Sequence, residues 1–449
     1  MKIESPQARS PCVTRRGALS GGAAALTGAG ILSACTLPGQ TPVPRMDERE
    51  VTLTYLTDWV STARGEWTKQ AIPRFMQEFP KIKVQVENVT GSLNTVLFAN
   101  AAGGSLQDVF QNENDVFQTF ARQGELKDIA PVLKSLRVNQ NDIVSLPSTH
   151  TYQGKQYGLP LQMGVQALVI NKSLFRQNGV APPDKTTTFP QWMEMMRRIA
   201  RPADGIYGYG TSGSPGNWGQ WLAFAWGYGG DRWSADLKQC LFDQPASIEA
   251  LQFYVDLMYR YQVGTPLNAQ GNPIPPGISF ANGNLACAGA SSPGAGMDQQ
   301  VAGKFEWDLM YTPVGPRTNK RGVFANSNAV CASGNAAKRN VFDQAVQLVA
   351  WIAGSKTAQD LMVEIGPSMP VYKPVLNGTK YLAGPPVSQK ILVDMMPDWK
   401  DPQTFIGWIE FRDAIVAALQ PAFANQKSVP DAAKEMVRVG QMVLDKIPR

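Results

Sequence analysis

Strand-like and helix-like runs alternate through the first half of this 449-residue chain, and that order limits the possible folds more than any other feature. VTLTYLT (51–57) reads as a strand, and Glu66 to Phe79 as an amphipathic helix stopped by Pro80. Lys83 to Val89 is again strand-like; a helix follows through Leu97 and Ala101 to Gly103 and Gly104. DVFQ (108–111) is a strand and 114–123 a helix ended by Gly124. Further on, Val165 to Asn171 reads as a strand, and Phe189 to Ala200 as a helix opened by Thr188 and Pro190. Alternation of this kind predicts an α/β fold in which helices cover a largely parallel sheet. A long helix runs from Ala246 to about Tyr261, and strand-like runs return at 284–290, 307–312 and 323–332. Helical periodicity dominates the end, at 338–353, 408–424 and 430–446.

The first fifty residues are of another kind. Arg15 and Arg16 precede an uncharged, Ala- and Gly-rich stretch that ends in Leu32, Ser33, Ala34 and Cys35. A basic head, an apolar middle and small residues before a cut form an export signal rather than a fold element. The cysteine after Leu-Ser-Ala resembles a bacterial lipobox, whose thiol carries a diacylglycerol anchor. The arginine pair resembles a twin-arginine export signal. Ala18 stands where such signals usually have a large apolar residue, so the general secretory route stays open. The Pro-rich stretch from Thr36 to Glu50 reads as a tether. Removing the leader takes away Lys2, Arg9, Arg15, Arg16 and Glu4, so the net charge of +6 falls by three to +3. That is too mild for a nucleic-acid binder.

Other chemistry is excluded by what the chain lacks. His150 is the one histidine, in a polar stretch that reads as an exposed loop, so a histidine-rich metal site cannot form. No phosphate-binding glycine loop follows a strand, and neither a metal nor a cofactor is expected. Of five cysteines, Cys240, Cys287 and Cys331 lie in apolar runs and read as buried free thiols, one disulfide among them being the alternative. Two carboxylates suffice for glycoside hydrolysis. Glu66, Asp115 and Asp231 lie near aromatics, so a glycoside-active enzyme is the competing reading.

Several phrases then line up in order: VTLTYLTDW, FMQEFPKIKVQVENV, YQGKQYGLPLQMGVQALVINKSLF, SFANGNLACAGASSPG and GPSMPVYKPVL. In this order they resemble the family 1, sugar-binding type of ABC-transporter extracellular solute-binding proteins, over essentially the whole exported chain. The resemblance implies a periplasmic-binding-protein-like type II fold, two α/β lobes joined by hinge crossovers, with solute enclosed between them. It implies a lipoprotein on the outer face of the cytoplasmic membrane, or periplasmic, held by the lipid at Cys35. Its partners would be a small carbohydrate ligand and ABC permease subunits, with the receptor a monomer and no enzyme. A polyol phosphate or another small polar solute is the alternative ligand. Carried onto this chain, the first lobe would hold 51–163 plus 291–328, and the second 164–290 plus 329–449. Crossings would fall near Gln162–Gly164, Gly289–Ser291 and Asn326–Ser333.

The same resemblance nominates contact residues. Maltodextrin binders carry an aromatic pair three residues apart before an apolar helix, and Trp218 and Trp221 repeat that spacing; Trp226 reads as packing. Indole faces suit the C–H face of a sugar, and carboxylates and amides suit its hydroxyl rim. Asp58 and Trp59 end the first strand, Glu66 opens the next helix, and Asn112, Glu113 and Asp115 follow the third strand. Gln162, Ser291, Ser292, Asn326 and Asn328 fall at the expected crossings. Met369 follows a Gly-Pro-Ser turn, and Trp408 lies four residues before Arg412. Two departures make maltodextrin itself doubtful: Asn112 stands where those binders have an aromatic, and SSPG replaces a Trp-containing loop.

Overall fold

The computed structural model describes residues 49–447 except 114–115, 214–217, 293–294 and 402, and not the side chains of Trp218 and Ala295. The expected export signal, Cys35 and Asp115 lie outside the described residues.

Two sheets organise the chain. The first is built from β1 (Val51–Thr57), β2 (Ile82–Asn88), β3 (Val109–Asn112), β6 (Gly158–Pro160) and β12 (Ala329–Ala332) in the order β2-β1-β3-β12-β6. β1 is parallel to β2 and β3, while β12 runs antiparallel to β3 and β6. A small hairpin, β4 (Thr151–Tyr152) with β5 (Lys155–Gln156), precedes β6. The second sheet holds β7 (Gly164–Asn171), β8 (Tyr207–Gly210), β9 (Leu285–Ser291), β10 (Trp307–Met310), β11 (Val323–Asn326) and β13 (Trp399–Lys400). β9 lies antiparallel along one edge of β7; β10 and β11 lie end to end along the other.

Helices cover both sheets because each buries one apolar stripe. Thr62–Glu78 packs on the first sheet with Lys356–Ile365; Trp67 Nε1 donates to Ala358 O at 3.0 Å and Trp351 Nε1 to Glu78 at 2.7 Å. Phe189–Ile199 opens at Thr188 with Pro190 in its first turn, as its sequence predicts, and Thr188 and Gln191 close a capping box. Trp218–Tyr228, Trp408–Phe423 and Val429–Leu444 share the core of the second sheet. Gly229 follows the first of these with φ +93°, a backbone that glycine adopts without strain.

The strand pairings differ from the division expected above. Strands β10 and β11 join β7 in the second sheet instead of the first, and β12 joins the first sheet. The single run expected over 323–332 is two strands in different sheets, parted at Ser327 and Asn328. The chain changes sheet at 161–163, at 327–328 and again before β13, but not near Gly289–Ser291, where β9 stays against β7. Hydrophobic pattern marks a strand; it does not say which edge the strand will find.

His150 is also corrected. It is 4% exposed, not on an open loop, with Nδ1 3.1 Å from Thr149 Oγ1. Burial pushes its pKa down to about 4, partly opposed by the Asp401 carboxylate.

Candidate functional site: unpartnered polar groups at the strand ends

In open α/β sheets ligands gather at the carboxyl ends of the strands, and there the first sheet collects polar side chains with nothing to bond. The parallel register sets Tyr55 beside Val109 and Leu56 beside Phe110, so Thr57 meets Gln111 one step further. Thr57 Oγ1 donates to Gln111 Oε1 at 2.7 Å and accepts from Trp59 N at 3.0 Å. This turns the chain so that Trp59 folds under the sheet end, its ring edge-on to Trp67 at 5.4 Å, with Arg64 5.5 Å from its centre. Asp58 Oδ1, Trp59 Nε1, Gln111 Nε2 and both amide atoms of Asn112 are buried without a nitrogen or oxygen partner among the described residues, the Asn112 amide having the Cys331 thiol as a weak one. Leaving one such group unpaired costs about 1–3 kcal/mol, and five on two adjacent strand ends form the largest such concentration described here. Glu113, the next residue, accepts from Asn94 Nδ2 at 2.8 Å.

The crossing at 161–163 is clasped from both sides. Ser292 Oγ donates to Met163 O at 2.9 Å and accepts from Val165 N at 2.8 Å. Ser368 Oγ donates to Gln162 Oε1, and Met163 N to Met369 O at 3.1 Å. Gln162, Ser292 and Met369 therefore lie at one crossing, where their polar atoms hold the crossing itself. Asn328 accepts Leu161 N at 2.8 Å through its backbone. Ser291 and Asn326 both approach Gly164, where a Cβ would stand 3.2 Å from Ser291 Oγ and collide with Asn326 Oδ1.

Other nominated residues are spent elsewhere. Glu66 is exposed and accepts from Gln70 at 2.7 Å. Trp221 is 1% exposed and packs on Phe242 and Phe423; Trp408 is 2% exposed among Trp233, Phe405 and Phe411. Trp218 begins its helix, and its side chain lies outside the description. Trp226 packs, as expected, stacking on Phe324 at 6.2 Å. Two residues were not foreseen: Gln111, and Gln220 with its buried, unpartnered Oε1. The available signal was a lone glutamine in an apolar run, as in WGQWLAF. Cys240, Cys287 and Cys331 are buried free thiols. Among the described residues no group of acidic, His or Cys side chains is arranged to hold a metal, and no helix is long and apolar enough to cross a membrane.

Residues 59–359 match the family of bacterial extracellular solute-binding proteins. The chain belongs to that family. No curated protein sequence matches it. Among solved structures it resembles an ABC substrate-binding protein from Listeria monocytogenes in complex with cycloalternan, with TM-score 0.75 and 19% identity over 87% of this chain and 98% of that one. A cyclic α-maltosyl-1,6-maltose binding protein from Arthrobacter globiformis gives TM-score 0.72 at 22% identity, covering 88% and 99%. UgpB from Mycobacterium tuberculosis with glycerophosphocholine gives 0.75 at 18%, covering 88% and 99%. These likenesses establish the two-lobed binding-protein fold, and the family is one of transport receptors rather than enzymes.

Proposed function

We propose that the protein is the extracytoplasmic receptor of an ABC importer and captures an uncharged mono- or oligosaccharide between its lobes without turnover. The observation that carries this reading is the row of unpartnered groups at the ends of β1 and β3. It mixes donors (Trp59 Nε1, Gln111 Nε2, Asn112 Nδ2) with acceptors (Asp58 Oδ1, Asn112 Oδ1). Sugar hydroxyls donate and accept, so they can satisfy both kinds at once. A phosphate only accepts, and it favours clustered cations. Support also comes from relatives solved with cycloalternan and binding a cyclic maltosyl-maltose. Following the strand pairings, we take the first lobe as 51–161 plus 329–394 and the second as 164–326 plus 399–447. Closure about the crossings would bury the ligand.

The N-terminal reading completes the proposal. Cys35 carries the lipid anchor, and the monomeric receptor docks its permease from the outer membrane face. Cys35→Ser should move the protein from the membrane fraction to the soluble one with ligand binding unchanged.

The deciding experiment is a thermal-shift panel of glucose, maltose, trehalose, maltotriose, glycerol phosphate, glycerophosphocholine and amino acids. A ligand that binds only the folded form raises the melting temperature by mass action. A sugar hit recovered chemically unchanged is the expected result. Hits confined to phosphorylated solutes, or hydrolysis of the sugar, would overturn it.

A further inference from the structure

A second polar patch lies on one face of the second sheet, at the end where the chain crosses from the first. β7 places Gly164 and Gln166 on this face. The antiparallel registers set Gln166 opposite Ser291, Leu168 opposite Gly289, and Gly164 opposite Asn326. Gln166, Ser291 and Asn326 are thus neighbours across three strands. Gln220 reaches the patch from the helix Trp218–Tyr228, whose Gly219 rests against Phe324 on the same face of β11. It is the one amide side chain in that helix, it is 8% exposed, and its Oε1 has no partner among the described residues.

Both glycines make room for these side chains. A Cβ on Gly289 would stand 2.8 Å from Gln220 Cδ and 2.9 Å from both Gln220 Nε2 and Gln166 Nε2. A Cβ on Gly164 would strike Asn326 Oδ1. Neither glycine has a positive φ, so neither is needed for its backbone conformation. What they leave room for is the amide ends themselves.

We propose that Gln220 and Gln166, seated by Gly289, are specificity-determining residues that read hydroxyl groups of the ligand from the second lobe. This rests on the saccharide-receptor reading above. The four described side chains gathered here are two glutamines, an asparagine and a serine, none of them ionisable, and they suit an uncharged, hydroxyl-bearing group. A pocket that hydrogen-bonds a hydroxyl discriminates strongly, because a ligand lacking it leaves the amide unpaired.

Gly289→Ala provides the test, because the atoms its methyl meets are the far ends of flexible side chains. The glutamine amides should swing away while the fold stands. With the panel sugar that binds wild type, Gly289→Ala and Gln220→Leu should each lose at least tenfold in affinity. Their preference for that sugar over the next-best panel sugar should shrink toward parity, with melting temperatures close to wild type. Wild-type affinity and preference in both variants would overturn the assignment while leaving the receptor reading intact. A panel without any sugar that binds would remove the receptor reading and this inference with it. Asn112→Leu, on the first sheet, separates the two: its failure to weaken binding counts against the first-sheet row alone.

Discussion

Tryptophan is used in two ways in this molecule. In the second core, Trp233 meets Phe405, Trp408 and Phe411 edge-on at 5.3–5.8 Å, and Trp226 lies flat on Phe324 with Nε1 donating to Asp231 at 3.2 Å. The buried Arg232 guanidinium sits 4.1 Å from the Trp233 ring centre and 5.0 Å from that of Trp226. Burial draws the Arg232 pKa down to about 10, with Asp231 and Asp401 pulling the other way. At the end of the first sheet, Trp59 is equally buried and meets Trp67 edge-on, yet its Nε1 is unpartnered, and Asp58, Gln111 and Asn112 on the same strand ends carry unsatisfied atoms too. Burial alone therefore does not separate packing from recognition. A single unpartnered atom does not separate them either, since Trp192 Nε1, ringed by Tyr209 and Phe224 in the second core, also lacks a nitrogen or oxygen partner; what marks the first-sheet end is that five such atoms from Asp58, Trp59, Gln111 and Asn112 gather on two adjacent strand ends.

The largest effect expected from this contrast is on the core side. Trp233→Ala should lose about 3–5 kcal/mol of unfolding free energy, read by denaturant titration, because a large buried side chain leaves a cavity. A loss below about 1 kcal/mol would break the contrast. His150 offers a buried polar group outside the recognition row. Its folded pKa of about 4 lies below the ordinary 6.5, so the unfolded chain takes up the proton first. Stability from this residue is complete above pH 6.5 and declines as pH falls toward 4, by about 3 kcal/mol in all. Equilibrium unfolding across that range should show the decline in wild type and a flatter profile in His150→Gln. The smallest effect is on Trp59. Trp59→Phe keeps a ring and removes the unpartnered N–H, so sugar affinity should fall about tenfold, ~1.4 kcal/mol, by calorimetric titration. Unfolding free energy should stay within about 1 kcal/mol of wild type.

Much of the architecture was legible in the sequence because strands and helices carry local periodicities. β1, β2 and the capped helix Phe189–Ile199 lie close to where the residues put them. Partner choice was not legible: Val323–Asn326 and Ala329–Ala332 read as one run, and only pairing sends them to different sheets. Asp58 and Asn112 were readable as strand-end residues, and a strand's carboxyl end is where open α/β sheets gather ligands; their burial without nitrogen or oxygen partners was not readable. Trp408 was not readable as core, since an aromatic four residues before an arginine suits a buried helix face as well as a cleft. Gln111 and Gln220 escaped for the opposite reason. One glutamine in an apolar run carries no periodic signal, and only its burial without a partner distinguishes it.

The most direct measurement is made on Asn112, whose fully buried amide has no nitrogen or oxygen partner and only the Cys331 thiol as a weak one. Asn112→Leu keeps the approximate shape and removes the unsatisfied amide, a change that is neutral or favourable to a fold that does not use it. Unfolding free energy without ligand and affinity for the panel sugar are measured on the same preparation. The account predicts that the unliganded variant is at least as stable as wild type, by up to about 1 kcal/mol, and that its affinity falls at least tenfold. A variant that is clearly destabilised and still binds the sugar with wild-type affinity would contradict it.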